Sequence, residues 1–309
     1  MNILTSLSPG SHDVQAIDRL WMVAIAIFGL IFLVVTGLIV FSLMRYRWRE
    51  GEIDPKQIAG QKTVEIIWTA IPLGIVTLLF FLTIKTMGVA DPAPAPDPDL
   101  VVTGHQWWWE VRYPKSGVIT ANEIHLPTGT PYSVRLDAAD VLHEFWVAQL
   151  ARKMTTVPGH PNHIWLEADT AGSYPGSCSE FCGTEHAWMR FTVVAQAPAE
   201  FAAWEQAQLR ASAPPAGAEA LQGEQLFMQM SCVSCHAING TPAQARVGPD
   251  LTHLGSRTQI GAGIMDNTPD NLRRWLRNPQ EAKPGVEMPN FEFTDAQVNA
   301  LTAYLETLR

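Results

Sequence analysis

The 309 residues leave room for two or three domains, and a composition 47% hydrophobic with only 17% charged fits neither a disordered tail nor a purely soluble protein. The net charge of −9 is uneven: residues 1–88 carry seven basic and six acidic groups, residues 89–216 seven and fourteen, and residues 217–309 seven and ten. The acidic excess beyond the first 88 residues argues against nucleic acid as a partner and suits docking of a basic protein, because complementary fields raise encounter rates.

Residues 1–19 form a short N-terminal segment, after which twenty-five residues between Arg19 and Arg45 contain no Asp, Glu, Lys or Arg. That run exceeds the roughly twenty residues a bilayer-spanning helix needs, and no small-residue cleavage site follows it, so a retained helix is expected. A second apolar run, Ile66 to Ile84, is also long enough to cross, with Pro72 and Gly74 tolerable inside it. Residues 20–88 thus read as a transmembrane helical hairpin in contact with membrane lipid. Its connection, about 45–63, holds Arg45, Arg47, Arg49, Lys56 and Lys62, whereas Arg19 stands beside Asp13 and Asp18; the loop is expected on the cytoplasmic side and both termini outside.

Residues 89–99 contain Asp91-Pro92-Ala93-Pro94-Ala95-Pro96-Asp97-Pro98, a stiff extended spacer. From 100 to 197 the pattern becomes short alternating runs broken by Pro, Gly and Asp: Val101–Thr103, Trp107–Arg112, Tyr132–Leu136, His143–Val147, His163–Leu166 and Met189–Val194. This predicts a small β-sandwich or barrel, with Cys178–His186 in the loop before the last strand. Residues 198–217, ending in Ala211-Ser212-Ala213-Pro214-Pro215-Ala216-Gly217, read as a linker. Helices are predicted at about 218–231, 269–277 and 294–308, the last with Val298, Leu301, Leu305 and Leu308 at helical spacing behind a Thr294-Asp295 cap.

All four cysteines lie in two tight pairs, Cys178/Cys182 and Cys232/Cys235, so cysteine usage speaks of cofactors. The stretch from Cys178 to Met189, with His143 upstream, gathers two thiols, two imidazoles (His143 and His186) and a thioether. Soft thiolate and thioether ligands select copper and imidazole suits it; a structural zinc site is the main rival and would have no use for Met189. A buried cysteine pair or disulfide is the bland alternative. Cys232-Val233-Ser234-Cys235-His236 is the C-x-x-C-H pattern of c-type haem attachment, where the thiols bond the haem vinyls and His236 ligates iron. A zinc knuckle would need a second C-x-x-C, which the sequence lacks. The sixth ligand should be His or Met: Met288 in Glu287-Met288-Pro289 is favoured, with Met265 and His253 as competitors.

Together with Gly104-His105-Gln106-Trp107-Trp108-Trp109 and the helical hairpin, the copper stretch resembles subunit II of haem-copper cytochrome c oxidases, and the C-terminal haem domain resembles the caa-type branch. The likeness runs over nearly the whole chain. It implies a multidomain membrane protein: a two-helix hairpin, a cupredoxin-like β-sandwich or barrel at 100–197 holding binuclear copper-A, and an all-α class I cytochrome c domain at 218–309. It implies that Cys178 and Cys182 bridge two coppers, that His143 and His186 each bind one, that Met189 is a weak ligand and that Glu180 gives a backbone carbonyl. It further implies that the Glu180 side chain ligates magnesium or manganese at the subunit I interface, where a carboxylate suits a hard ion; a solvated surface glutamate is the alternative. By resemblance Trp107 is the point of electron entry into copper-A, the alternative being a membrane-interface belt residue. Likewise Glu65 helps feed protons into subunit I, or is an interfacial anchor and helix-dipole partner. His105, His125, His160 and His163 read as satisfied β-domain histidines. After His143 the family usually shows Ser-Phe or Ser-Trp; here Glu144 precedes Phe145-Trp146, and Gln149 and Ala151-Arg152 also depart, changes that bear on the surface near the site and leave the ligands untouched.

The function these expectations imply is the electron-entry subunit of a proton-pumping terminal oxidase in the bacterial inner membrane, its redox domains periplasmic. Electrons would come from an external cytochrome c or a membrane-bound donor and leave to subunit I, with further subunits of the complex as partners. A copper-A subunit of a nitric oxide reductase and a non-enzymatic membrane-tethered copper carrier are the alternatives. Glu65 and Glu180 speak against the first, and Cys232-x-x-Cys235-His236 against the second.

Overall fold

The computed structural model describes residues 8–51, 53 and 60–309. Residues 1–7 of the N-terminal segment and Lys56 of the charged loop lie outside the described residues. The chain divides into two compact units, Gln15–Pro92 on the one hand and Met1–Val14 with Ala93–Arg309 on the other.

The first unit is built on α1 (His12–Arg45) and α2 (Lys62–Ala90), of 34 and 29 residues. At 1.5 Å per residue each exceeds the roughly 30 Å of a bilayer's hydrocarbon core. Both helices run past the apolar stretches read from sequence, because the flanking polar residues continue the same backbone hydrogen bonding. Large apolar side chains point outward all round, among them Leu30, Phe32, Leu73 and Phe81, the pattern of a helix solvated by lipid. Thr69 and Thr77 return their hydroxyls to the carbonyls of Glu65 and Leu73, both at 2.8 Å, which hides two polar groups that lipid could not satisfy.

The second unit opens with a β-sandwich. One sheet has the order β3-β2-β1-β5-β8, from β1 (Leu100–His105), β2 (Trp108–Arg112), β3 (Ile119–Ala121), β5 (Tyr132–Ala138) and β8 (Asn162–Leu166). The other has the order β4-β10-β9-β6-β7, from β4 (Glu123–Pro127), β6 (His143–Trp146), β7 (Met154–Thr156), β9 (Gly172–Cys178) and β10 (Arg190–Gln196). Trp109, Phe145 and Phe191 fill the space between the sheets, with Trp109 edge-on to both phenylalanines at 5.7 and 5.5 Å. Gly10 and Ser11 are tied to this sandwich: Gly10 N–H donates to Gln149 O at 2.8 Å, and the Ser11 hydroxyl donates to Leu150 O at 2.8 Å.

Four strands, β3, β4, β7 and β9, lie outside the runs predicted from sequence, and Trp107 leaves the predicted Trp107–Arg112 strand for the two-residue turn between β1 and β2. The stretch 198–217 is not a plain linker. It begins with α3 (Pro198–Gln208), whose Phe201 is buried and whose Trp204 stacks on His125 at 4.0 Å, so apolar burial against the sandwich outweighs the Ala-rich composition.

The C-terminal part is helical: α4 (Ala218–Gln229), α5 (Pro269–Arg277), the short α6 (Pro279–Ala282) and α7 (Asp295–Thr307), with a two-stranded ribbon of β11 (Gln259–Ile260) and β12 (Met265–Asp266). Thr294 caps α7 by accepting from Gln297 N–H, and Gln297 returns a bond to the Thr294 N–H, a reciprocal capping box. Helix α7 buries Val298, Leu301, Tyr304 and Leu305 against α4 and α5; Gly223 of α4 is where the Ala300 carbonyl of α7 comes closest.

Candidate functional site

Strand register brings the thiols and His143 together. Phe145 of β6 pairs with Cys178 of β9, so His143, two residues from Phe145, shares a sheet face with Cys178. A ring nitrogen of His143 and both thiol sulfurs lie within 4.8 Å of one another. Cys178 ends β9, a correction to its expected place in the loop, and Met189 stands just before β10, their backbones joined by Cys178 N–H to Met189 O at 3.0 Å. The intervening turn folds Cys182 inward: its sulfur is 3.8 Å from Cys178 Sγ, 3.7 Å from His186 Nδ1 and 3.9 Å from Met189 Sδ. The Glu180 carbonyl is 3.2 Å from Cys178 Sγ, while the Glu180 side chain is exposed. All six residues named from sequence therefore converge, and the cysteines are free thiols.

The donor atoms are prepared for a metal. His143 is fully buried, and its Nε2–H donates to Asp140 Oδ1 at 2.8 Å, which fixes the tautomer and leaves Nδ1 as the lone-pair nitrogen. Among the described residues that Nδ1 is buried with no hydrogen bond of good geometry, the Cys178 thiol being its nearest candidate partner. A nitrogen so stranded would be costly unless something binds it. The hydrogen bond from Cys182 pulls the Cys178 thiol well below the ordinary thiol range, and the same bond holds the proton on Cys182. A soft cation would displace that one proton and face two thiolates. Gly104 of β1 lies beside the imidazole: a Cβ there would stand 2.7 Å from His143 Cδ2.

The hairpin tip Gln106-Trp107 covers the ligand loop. Gln106 Nε2 and Trp107 Nε1 both donate to Cys182 O, at 2.7 and 3.0 Å. Trp107 is half-buried, whereas Trp108 is buried against Ala121 and Ala262.

In the helical part, Cys232, Cys235, His236 and Met288 line one cavity of about 340 Å³, together with Leu251, Ile260, Arg257 and, from the sandwich, Trp107. His236 Nδ1–H donates to Pro249 O at 2.8 Å, leaving Nε2 free to ligate, and burial lowers its pKa so that the imidazole is neutral. Gly248 makes room for the ring; a Cβ there would be 2.7 Å from His236 Cε1. Trp275 Nε1–H points at Met288 Sδ from 3.2 Å. Arg257 is buried in the same cavity and donates to Asp250 O, and among the described residues its Nε has no hydrogen-bond partner. Neither rival of Met288 is among the cavity's lining residues: His253 Nε2 bonds Gln208 O at 2.9 Å and Met265 sits in β12.

Sequence reasoning missed Asp140, Gly104, Gln106 and Arg257. An acidic residue three positions before His143 was a readable cue; the others follow only from strand pairing and cavity shape.

Three family models match, described as cytochrome C oxidase subunit II, transmembrane domain, over residues 1–86; cytochrome C oxidase subunit II, periplasmic domain, over 116–196; and cytochrome c over 220–309. Cytochrome c oxidase subunit 2 of Alkalihalophilus pseudofirmus is 38% identical over 99% of this chain and 91% of its own length. The chain belongs to the cytochrome c oxidase subunit II family. The subunit 2 of Bacillus subtilis is 33% identical over 88% of this chain and 83% of its own. Among solved structures, the periplasmic domain of subunit II of cytochrome oxidase of Bradyrhizobium japonicum aligns with 28% identity and a TM-score of 0.34, over 37% of this chain and 95% of that one. As a subunit II with a cytochrome c domain, the chain is a membrane protein with two spans and a subunit of an oxidoreductase complex, and its domains imply copper-A and haem c.

Proposed function

We propose that this subunit II is the electron-entry subunit of a proton-pumping terminal oxidase, passing electrons from a cytochrome c or a membrane-bound donor by way of haem c and copper-A to the oxygen-reducing centre of subunit I. The observation that carries the reading is the convergence of His143, Cys178, Glu180, Cys182, His186 and Met189 around one stranded imidazole nitrogen. Cys178, Cys182, His143, His186, Met189 and the Glu180 carbonyl would hold the copper pair. When bound, it would supply one-electron transfer.

Cys232 and Cys235 would attach the haem, His236 and Met288 would ligate its iron, and Arg257 would offer its cation to an anionic group of the cofactor. The chain's own contribution is to orient these atoms: Asp140 and Pro249 fix the two histidine tautomers, and Gly104 and Gly248 give the rings their space.

The exposed Glu180 carboxylate is the ligand for magnesium or manganese against subunit I. Trp107, hydrogen-bonded to the Cys182 carbonyl, is the electron entrance, and Glu65 in the first turn of α2 is the proton-entry residue. The bonds from Gly10 and Ser11 to the sandwich support an N-terminus on the same, periplasmic side as the redox domains. The test is purification with partner subunits and parallel assays: oxygen consumption driven by reduced cytochrome c is expected. Nitric oxide turnover without oxygen turnover would transfer the subunit to a nitric oxide reductase, and a single exchangeable copper would make it a carrier.

A further inference from the structure

The haem domain is seated on the copper domain by an interface with its own buried core and polar contacts. Ala262 beside the β11–β12 ribbon packs with Trp108 and Ala121, and its carbonyl accepts from Arg190 N–H at 3.0 Å, next to the copper ligand loop. Thr258 N–H donates to the buried Glu123 carboxylate at 2.7 Å, and the Thr258 hydroxyl bonds the same oxygen. Thr192 Oγ1–H donates to Gln259 Oε1 at 3.2 Å. The fit is close: a Cβ on Gly263 would stand 2.9 Å from Arg190 Cβ, and one on Gly285 3.0 Å from Thr184 Cγ2.

At the centre of this contact lies an ion pair. Lys283 Nζ, from the haem domain, is 3.0 Å from Glu185 Oε2 of the copper domain, and both side chains are only 2% exposed. Lys283 Nζ also donates to the Trp107 carbonyl at 3.3 Å. An ammonium and a carboxylate buried this deeply would each be strongly destabilising without the other. Their positions are consequential. Lys283 begins the loop that carries Met288, and Glu185 immediately precedes His186. The pair therefore ties the loop of a haem ligand to the loop of a copper ligand, with the Trp107 backbone as third party.

We infer that Lys283 and Glu185 form an interdomain latch that holds the haem domain over the Gln106-Trp107 hairpin tip and so fixes the geometry between the haem cavity and the copper ligand loop. This rests on the electron-entry reading above. Lys283 is a positioning residue: at the edge of the haem cavity its ammonium is engaged by Glu185 and the Trp107 carbonyl, and it sets the separation and orientation of two redox centres whose mutual geometry decides the transfer rate.

The test uses the purified oxidase complex with both cofactors in place. In the wild type, added reduced cytochrome c reduces haem c before copper-A. Lys283→Met leaves the Glu185 carboxylate buried and unpaired, and breaking a buried pair shifts an equilibrium by about 100-fold or more. Haem c to copper-A transfer after flash reduction is then expected to slow at least about tenfold, less than the full shift because the linker keeps the domain at high effective concentration. Adding Glu185→Gln removes the orphaned charge, so the double variant is expected to recover part of the rate, a coupling that simple loop damage would not produce. Thr258→Asp, which places a second carboxylate against Glu123 away from every ligand, is expected to slow the transfer likewise, and it alone decides if Lys283→Met fails to assemble. Wild-type transfer rates in these variants overturn the latch, whereas copper-A reduced ahead of haem c in the wild type overturns the electron-entry reading on which it rests. Absence of a copper-A or haem c spectrum from the wild-type complex overturns instead the functional reading beneath it.

Discussion

Gly104→Ala isolates the packing that holds the first copper ligand. Gly104 sits near the end of β1, paired with Trp109 on one side and Ala138 on the other, so a shift of its backbone would disturb two ladders. A methyl group there would stand 2.7, 3.0 and 3.3 Å from His143 Cδ2, Cγ and Cβ. Carbon contacts relax at about 3.5–4.0 Å, so the ring must retreat by roughly 0.8 Å. It has nowhere to go. Asp140 holds Nε2 at 2.8 Å, and the Trp109 ring lies edge-on with centroids 5.9 Å apart. Overpacking of this kind costs about 1–3 kcal/mol, and metal–ligand distances tolerate only about 0.2 Å. The expected outcome is a folded subunit with normal haem c, a lowered copper-to-haem ratio and an altered spin-resonance spectrum. Gly172→Ala is the control, since its nearest neighbour would be Tyr174 at 3.7 Å, an ordinary contact. Full copper and superimposable spectra in both variants would refute the packing argument.

Cys178→Ser replaces a soft thiolate by a hard hydroxyl; copper-A should be lost with haem c retained, and oxygen consumption driven by cytochrome c should fall by orders of magnitude. Met288→His should leave the haem covalently attached and lower its reduction potential, read by redox titration, because Met/His ligation raises the potential; an unchanged potential would remove Met288 from the iron. Thr258→Val deletes one hydrogen bond to Glu123 and should cost about 1 kcal/mol in thermal or denaturant unfolding. Burial alone would raise the pKa of Glu123, but the bonds from His125 and Thr258 bring it below the usual carboxylate value. Its contribution to stability is therefore complete above the ordinary value of 4.5 and is lost as pH falls through the lower folded value. Without the hydroxyl the folded value rises toward the unfolded one, so Thr258→Val should lose less stability than the wild type as pH falls below 4.5; identical acid profiles would contradict this.

Much of this arrangement was readable because the ligand types are chemically distinctive and close in sequence. From Cys178 to Met189 five of the six donors lie within twelve residues, and Cys232 to His236 is a single turn of chain. The apolar helices announced themselves by length, and the N-cap of α7 by Thr294-Asp295, to which the structure adds Gln297 as reciprocal partner. What escaped was whatever depends on pairing at long range. β3 and β7 are three residues long and β9 is rich in Gly, Ser and Pro, so they are strands because their neighbours offer hydrogen bonds, whereas β4, Glu123–Pro127, does alternate and was simply missed. Helix α3 escaped for a similar reason: Ala-rich sequence next to a Pro-Pro segment reads as spacer until Phe201 and Trp204 find the sandwich. Lys283 is buried without any local signal, since nothing in the sequence around it distinguishes a lysine that will be buried from one that will not.

The way the copper ligands are mounted explains why a loop can serve a centre that must not move. Cys178 is the last residue of β9 and Met189 the one before β10, and Arg190 pairs with Ser177, so both ends of the loop are pinned by the same ladder. Inside it, Gly183 lies at φ +118, and a side chain there would meet Trp107 Cζ2 at 2.9 Å, so the turn can be this tight only with glycine and only under the indole. The bonds from Gln106 and Trp107 to the Cys182 carbonyl then hold the inner thiol from outside. Trp107 is consequently both a clamp on a ligand and the surface that meets the haem cavity. A substitution that disturbs the entrance must disturb the copper as well, so loss of electron transfer in a Trp107 variant identifies a conduction role only if the copper-A spectrum is unchanged.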